Sequence, residues 1–138
     1  MLFQELINRG HVVGNHTHGH VNGWKVKNEA YIDDVNGCGQ LMKTSFFRPP
    51  YGKIKRSQAK AVGMNYKIVM WDVLSWDFKK DVTAEQAAQN VIKNAGPGSI
   101  VVFHDSLKAG STMLEALPKV LEHFGDEGYR FEVLPEAK

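Results

Sequence analysis

The sequence predicts an α/β domain in which helices alternate with the strands of a parallel sheet, either open or curled into a barrel. Helical stripes of apolar residues alternate with short apolar runs along the chain. The run at residues 100–103 is almost continuously apolar, as in strands covered on both faces. His16, Arg48 and His104 each follow a predicted strand. Such folds place their chemistry at the carboxyl ends of their strands.

The chain opens with a predicted helix, a strand and a second helix. Apolar residues recur at helical spacing over residues 2–9, and Gly10 is well placed to end that helix. Residues 11–13 predict a strand that leads into a loop rich in histidine. Residues 27–42 then carry polar and apolar side chains at helical spacing, which predicts the second helix.

Two further strands flank a short third helix. Residues 45–48 form a short apolar run that the following pair of prolines stops. Residues 57–62 predict a helix closed near Gly63. Residues 66–71 are rich in types that suit a pleated sheet, so residues 72–77 are expected just past a strand end.

The last third predicts two helices and two strands. Thr83 is a suitable N-cap for a helix that ends near residue 95, before a Gly-Pro-Gly turn. The strand at 100–103 follows, then a helix over 111–124 and a strand over 129–133. The prediction is therefore one domain over residues 1–138, with about five parallel strands.

Composition excludes several classes of protein. The 138 residues carry a formal net charge of +2 without a basic block, so nucleic-acid binding is not expected. The single cysteine, Cys38, can form no internal disulfide and is expected to be a partly buried helix residue. No apolar run is long enough to span a bilayer, and the first residues lack the layout of a signal peptide.

Three of the six histidines fall within residues 14–20, which read GNHTHGH. His16 and His20 are four residues apart, a spacing that lets two imidazoles face one metal ion from a tight loop. The alternative is a group of exposed loop histidines. We favour metal ligands.

Two further segments carry candidate site residues. Arg48 and Tyr51 flank a rigid pair of prolines that ends in Pro50, so this turn could aim a backbone amide at an oxyanion; a stiff surface turn is the alternative. Asp72 and Trp76 belong to a segment that could supply a charge partner and a pocket wall, although core packing also explains its tryptophans.

His104 follows the apolar strand at 100–103 and is a plausible general acid or base. A lone histidine in this place is more often buried and satisfied by a backbone carbonyl. Because Arg48, Asp72 and His104 all lie at predicted strand ends on the side of the histidine pair, a shared site is favoured.

The motifs together resemble those of a known family. They are GNHTHGH at 14–20, FRPPYG at 47–52, WDVLSWD at 71–77 and GSIVVFHD at 98–105. In this order and with these gaps they resemble the polysaccharide deacetylases of the NodB-homology type, carbohydrate esterase family 4. The resemblance covers nearly the whole chain, and it implies a distorted β/α barrel that removes acetyl groups from amino sugars or xylan.

The resemblance also implies roles for individual residues. His16 and His20 look like ligands of a divalent metal, most consistently zinc, with cobalt or nickel as alternatives. Thr17 looks like the residue that braces their loop. The remaining roles are the oxyanion contact of the Tyr51 amide, general acid catalysis by His104 tuned by Asp72, and an acetyl pocket lined by Trp76, Val102 and Pro50.

One motif of the family has no counterpart in this sequence. Family members begin with a strand ending in Thr-Phe-Asp-Asp-Gly-Pro, which carries the general base and a third metal ligand. The only pair of adjacent aspartates here is Asp33-Asp34, which we interpret as an exposed helix face. We therefore expect an incomplete barrel, truncated at its first strand, whose activity as an isolated chain is in question.

Two other functions stay open on sequence grounds. The chain could be an inactive remnant that binds metal or glycan, or an assembly module that forms a swapped homodimer through an exposed sheet edge. An acetylated polysaccharide is the expected partner, and the whole protein could act in the cell envelope or outside the cell.

Overall fold

A computed structural model describes residues 2–135 of the chain. The described residues divide into two compact units: residues 2–70 together with 133–135 form the first unit, and Trp71–Glu132 forms the second. The α/β character predicted from the sequence is confirmed in both. No helix within residues 2–135 has the length and apolar character needed to cross a membrane.

The first unit contains three helices and one pair of parallel strands. In chain order its elements are α1 (Leu2–Asn8), α2 (Asn28–Gly39), β1 (Phe46–Phe47), α3 (Arg56–Val62) and β2 (Lys67–Ile68). A short 3-10 turn, Pro50–Gly52, lies between β1 and α3. The core of this unit is formed by Tyr31, Val35, Phe47 and Val62.

The second unit contains a second parallel pair and two helices. Its elements are β3 (Val73–Leu74), α4 (Ala84–Ile92), β4 (Val101–Val102) and α5 (Gly110–Asp126). Thr83 caps α4 as predicted: its hydroxyl accepts a hydrogen bond from the Gln86 amide, and the Gln86 side chain accepts one from the Thr83 amide. The apolar faces of α4 and α5 pack together with Val73, forming the core of this unit.

The strands differ from the prediction in number and place. The five predicted helices are present, but within residues 2–135 there are four strands, each two residues long, in two parallel pairs. Residues 11–13 form no strand, because pairing with β1 starts later, at a single bridge between Asn15 and Phe47. Residues 129–133 are irregular, with Phe131 and Val133 more than half exposed. Conversely, β3 occupies a segment predicted to lie beyond a strand end.

Candidate active site

The histidine pair of the first unit lies in a folded loop. The ring centroids of His16 and His20 are 5.0 Å apart, with the rings steeply inclined at 69°. Nδ1 of His16 lies 2.6 Å from the carbonyl oxygen of Arg48, directly after β1. A neutral imidazole that donates at Nδ1 carries its lone pair on Nε2, so this contact selects the tautomer suited to bind a metal through Nε2.

Asn15 and Thr17 hold this loop in an unusual backbone conformation. Thr17 and His20 have positive φ angles of 62° and 53°, which non-glycine residues adopt only where the surroundings impose it. The buried Asn15 side chain accepts a hydrogen bond from the Thr17 amide and donates to the carbonyl of Val35 in α2. The Thr17 hydroxyl accepts a bond from the Val21 amide, so the expected bracing by Thr17 is confirmed.

Asp34 also holds the loop, contrary to our interpretation of the acidic pair. Its carboxylate oxygens lie 2.9 and 3.1 Å from the amide nitrogen of Gly19, and its backbone carbonyl accepts a bond from the His18 amide. Asp33 is exposed, as expected. The error for Asp34 arose because helical periodicity shows which face a residue occupies but not which loop packs against that face.

The turn after β1 fixes Arg48 and Tyr51. The Arg48 guanidinium donates to the carbonyls of Val69 and Met70, and partial burial lowers the pKa of Arg48 from its usual value. Tyr51 has a φ of 58°, and its exposed ring meets the edge of His20 at a centroid distance of 4.7 Å. The turn therefore places Tyr51 beside the histidine pair.

Pro50 does not match its predicted role in a pocket wall. It is less than 2% exposed, so it has almost no surface to offer a substrate. Its contribution is to the turn itself, since its carbonyl accepts a bond from the amide of Lys53 and its ring fixes the backbone direction.

In the second unit, His104 is paired with Asp77 and not with Asp72. Nδ1 of His104 lies 2.7 Å from one carboxylate oxygen of Asp77, and its backbone amide donates to the other oxygen at 2.7 Å. Asp77 is almost completely buried, whereas the His104 side chain is partly exposed. This arrangement fixes the ring and leaves Nε2 as the nitrogen on the far side from the carboxylate.

Asp72 makes other contacts, so the predicted tuning of His104 by Asp72 is wrong. One of its oxygens accepts a bond from the Ser99 hydroxyl at 2.7 Å and the other accepts from the Ile100 amide at 2.6 Å. These two bonds, the Ser99 bond first, lower the pKa of the Asp72 carboxyl. Asp72 thus stabilises the entry to β4. The sequence places two aspartates in one motif, and only the course of β3 shows which of them reaches His104.

The predicted pocket residues of the second unit are Val102, which is close to His104 in the chain, and Trp76, which is connected to His104 through Phe78. Val102 is in β4, two residues before His104, and is half-buried. Trp76 precedes Asp77, has a positive φ of 64° and packs against Phe78, whose ring meets His104 at 4.7 Å. The ammonium of Lys79 lies over the Trp76 ring. An acetyl pocket formed by Trp76 and Val102 stays a prediction.

The imidazoles of the histidine loop are donors of a type that binds divalent metals. Two imidazoles lie with their ring centroids 5.0 Å apart, and a hydrogen bond orients one of them, as is usual for histidine ligands. No group of three or more histidine, cysteine, aspartate or glutamate side chains able to hold a metal occurs within residues 2–135. The described residues therefore bring fewer than three such side chains together, whereas a catalytic zinc usually has three protein ligands.

Comparison with known proteins identifies the family. The sequence profile of the polysaccharide deacetylase family matches residues 1–68. A peptidoglycan-N-acetylglucosamine deacetylase of Bacillus cereus is 34% identical over 97% of this chain and 51% of that protein. A second protein of that name from the same organism is 30% identical over 98% of this chain and 67% of that protein.

A solved structure agrees with these relatives. The crystal structure of the Bc1960 peptidoglycan N-acetylglucosamine deacetylase is 34% identical and superposes with a TM-score of 0.88, covering 96% of this chain and 65% of that chain. The chain therefore belongs to the polysaccharide deacetylase family, the NodB-homology domains of carbohydrate esterase family 4. It spans about half to two thirds of the length of the relatives described here.

Proposed function

We propose that this chain acts in the hydrolysis of acetyl groups on a carbohydrate polymer, with an N-acetylglucosamine polymer of the peptidoglycan type as its substrate. The observation that carries the proposal is the His16–His20 pair, held in one loop with the tautomer of His16 set by the Arg48 carbonyl. The names of the two Bacillus cereus relatives support the choice of substrate.

The histidine pair would hold the metal of this reaction. His16 and His20 would be its protein ligands in this chain, with zinc the best match to two imidazoles and cobalt or nickel able to replace it. A metal bound there supplies Lewis-acid polarisation of the acetyl carbonyl and makes a hydroxide nucleophile available at neutral pH.

His104 is suited to act as the general acid. Asp77 holds its Nδ1, so a protonated ring can release the proton on Nε2 to the sugar nitrogen as the bond from that nitrogen to the acetyl carbon breaks. The products are acetate and a free amine. The Tyr51 amide would donate to the developing oxyanion, and Trp76 with Val102 would contact the acetyl methyl group.

The proposed function also includes an incomplete barrel, action in the cell envelope, and a homodimer through an exposed sheet edge. The TM-score of 0.88 to a family structure supports the barrel. Light scattering tests the dimer: a clean monomer at high concentration would rule it out.

An acetate-release assay tests the proposed reaction. The chain is loaded with zinc or cobalt, incubated with an N-acetylglucosamine tetramer, and assayed for acetate and for bound metal. We expect His16→Ala to abolish both metal binding and metal-dependent release. His11→Ala, an exposed histidine outside the motif, should change neither. Equal release by wild type and His16→Ala would contradict the proposal.

A second function has a specific observation in its favour. Because residues 2–135 hold no group of three metal-binding side chains, the chain could bind metal and glycan without turnover. The same assay separates the two functions. Metal and tetramer binding without acetate release, in wild type and with every metal tried, would favour the binding function.

A further inference from the structure

An exposed tryptophan lies close in the chain to the histidine pair and has no part in the chemistry described above. The Trp24 side chain is 59% exposed, although its indole N–H donates to the carbonyl of Ile54 at 3.2 Å. Large aromatic side chains normally bury most of their surface in a fold. A tryptophan that is held in one orientation and still exposed is typical of a binding surface.

The backbone beneath Trp24 is locked to the segment that carries Lys53. The Gly23 amide donates to the Lys53 carbonyl at 3.1 Å, and the buried Gln58 side chain donates to the Gly23 carbonyl at 2.9 Å. A Cβ atom on Gly23 would lie 2.5 Å from the Lys53 carbonyl oxygen. Only glycine permits this approach, so the two segments are fixed relative to each other.

Lys53 places a positive charge on the tryptophan. Its ammonium lies 3.9 Å from the centroid of the Trp24 ring, within the range of a cation–π contact. None of the ion pairs among residues 2–135 involves Lys53. The surface therefore combines an aromatic ring with a cation that no carboxylate of the described chain neutralises in an ion pair.

This surface, which we call the Trp24–Lys53 platform, connects to the histidine pair through Tyr51. Tyr51 lies two residues before Lys53 in the same turn, is 60% exposed, and contacts the His20 ring. A polymer bound with one sugar at the histidine pair could therefore extend along Tyr51 towards the platform.

Resting on the proposed function, we propose that the Trp24–Lys53 platform is a subsite for a sugar that carries a carboxylate, adjacent in the polymer to the sugar that is deacetylated. The part of the indole that is left exposed beside Lys53 suits the C–H face of a sugar ring, and the ammonium suits the carboxylate of that sugar. A neutral glycan would use only the ring. An acidic glycan, such as one with alternating muramic acid units, uses both groups.

Two soluble probes test this inference through binding alone. The neutral probe is an N-acetylglucosamine tetramer, and the acidic probe is a tetrasaccharide of alternating N-acetylglucosamine and N-acetylmuramic acid. Titration calorimetry of the full chain gives Kd for each. We expect Lys53→Gln to weaken the acidic probe about three- to tenfold and to leave the neutral probe unchanged. Trp24→Ala should weaken both probes.

Matched variants serve as controls for the binding test. Lys25→Gln and Lys60→Gln remove exposed lysines of the same unit that touch no aromatic ring in the contacts described, and both should bind like wild type. Trp24→Phe keeps a ring in place if Trp24→Ala fails to fold, and it should bind better than any unfolded variant. An unchanged ratio of acidic to neutral Kd in Lys53→Gln would overturn the inference, as would wild-type binding of neither probe.

The outcomes also separate this inference from the proposed function. If binding of the acidic probe depends on Lys53 but no metal supports acetate release, the Trp24–Lys53 platform is supported and the proposed deacetylase activity is contradicted. If acetate is released but Lys53→Gln binds both probes as tightly as wild type, the deacetylase activity is supported and the platform is contradicted.

Discussion

Replacing Asn15 by alanine should loosen the histidine loop and weaken metal binding. The Asn15 side chain is fully buried and makes three hydrogen bonds: it donates to the Val35 carbonyl at 2.9 Å and to the Tyr66 hydroxyl at 3.2 Å, and accepts from the Thr17 amide at 2.9 Å. At about 1 kcal/mol net per bond, the free energy of unfolding should fall by about 3 kcal/mol. The Thr17 amide is left without its bond in a strained loop, so the Kd for zinc or cobalt should rise.

Urea denaturation measures the stability change, and calorimetric titration of cobalt measures the Kd. Asn36→Ala is the matched control, because Asn36 is an exposed asparagine in α2 of the same unit. Its free energy of unfolding should change by less than about 0.5 kcal/mol. A loss below about 1 kcal/mol in Asn15→Ala, with cobalt affinity unchanged, would refute the argument that this side chain supports the loop.

Three further substitutions test other groups. Asp77→Ala removes a buried carboxylate with two bonds of 2.7 Å to one histidine, so denaturation should show a loss of about 2 to 4 kcal/mol and the C2 proton of that imidazole should shift in NMR spectra. Asp34→Asn weakens the acceptor for the loop amide and should raise the cobalt Kd, with a stability loss of about 1 kcal/mol. Burial, and then the charge of Asp34, raise the pKa of Tyr31 to about 12. Because the unfolded tyrosine ionises near pH 10, the free energy of unfolding should fall by up to about 3 kcal/mol between pH 10 and 12, and Tyr31→Phe should abolish that loss.

Each of these variants has a control or a contradicting result. Asp105→Ala removes an exposed carboxylate next to His104 in the sequence, and Asp33→Asn removes one next to Asp34. Both should leave the free energy of unfolding nearly unchanged. The tyrosine hydroxyl is buried without a hydrogen-bond partner in the described residues, so Tyr31→Phe should also keep its stability at neutral pH. Equal loss between pH 10 and 12 in wild type and Tyr31→Phe would assign the transition to another group.

Helices were predicted well because their signals are local. The cap at Thr83 and the apolar stripe of α4 require only neighbouring residues, and both are present in the structure. Strands need a partner elsewhere in the chain. Residues 129–133 have strand-like composition without such a partner among the described residues, whereas Val73 and Leu74 find one in β4.

The candidate site shows the same difference between local signals and contacts that are distant in sequence. Spacing alone indicated His16 and His20, since two ligands on one loop are a local pattern. The residues that support them, Asn15 and Asp34, act across long stretches of chain and were missed. The exchange of Asp72 for Asp77 as the partner of His104 has the same cause, because a two-residue strand between them decides which carboxylate reaches the ring.

Paramagnetic NMR of the cobalt-loaded chain, with its histidines isotopically labelled, tests the central claim most directly. We propose that cobalt binds to the imidazoles of His16 and His20. We expect their signals to be shifted or broadened strongly by cobalt and restored when zinc replaces it, while those of His123 change little. An effect of cobalt on His16 and His20 no larger than that on His123 would contradict the proposed metal site.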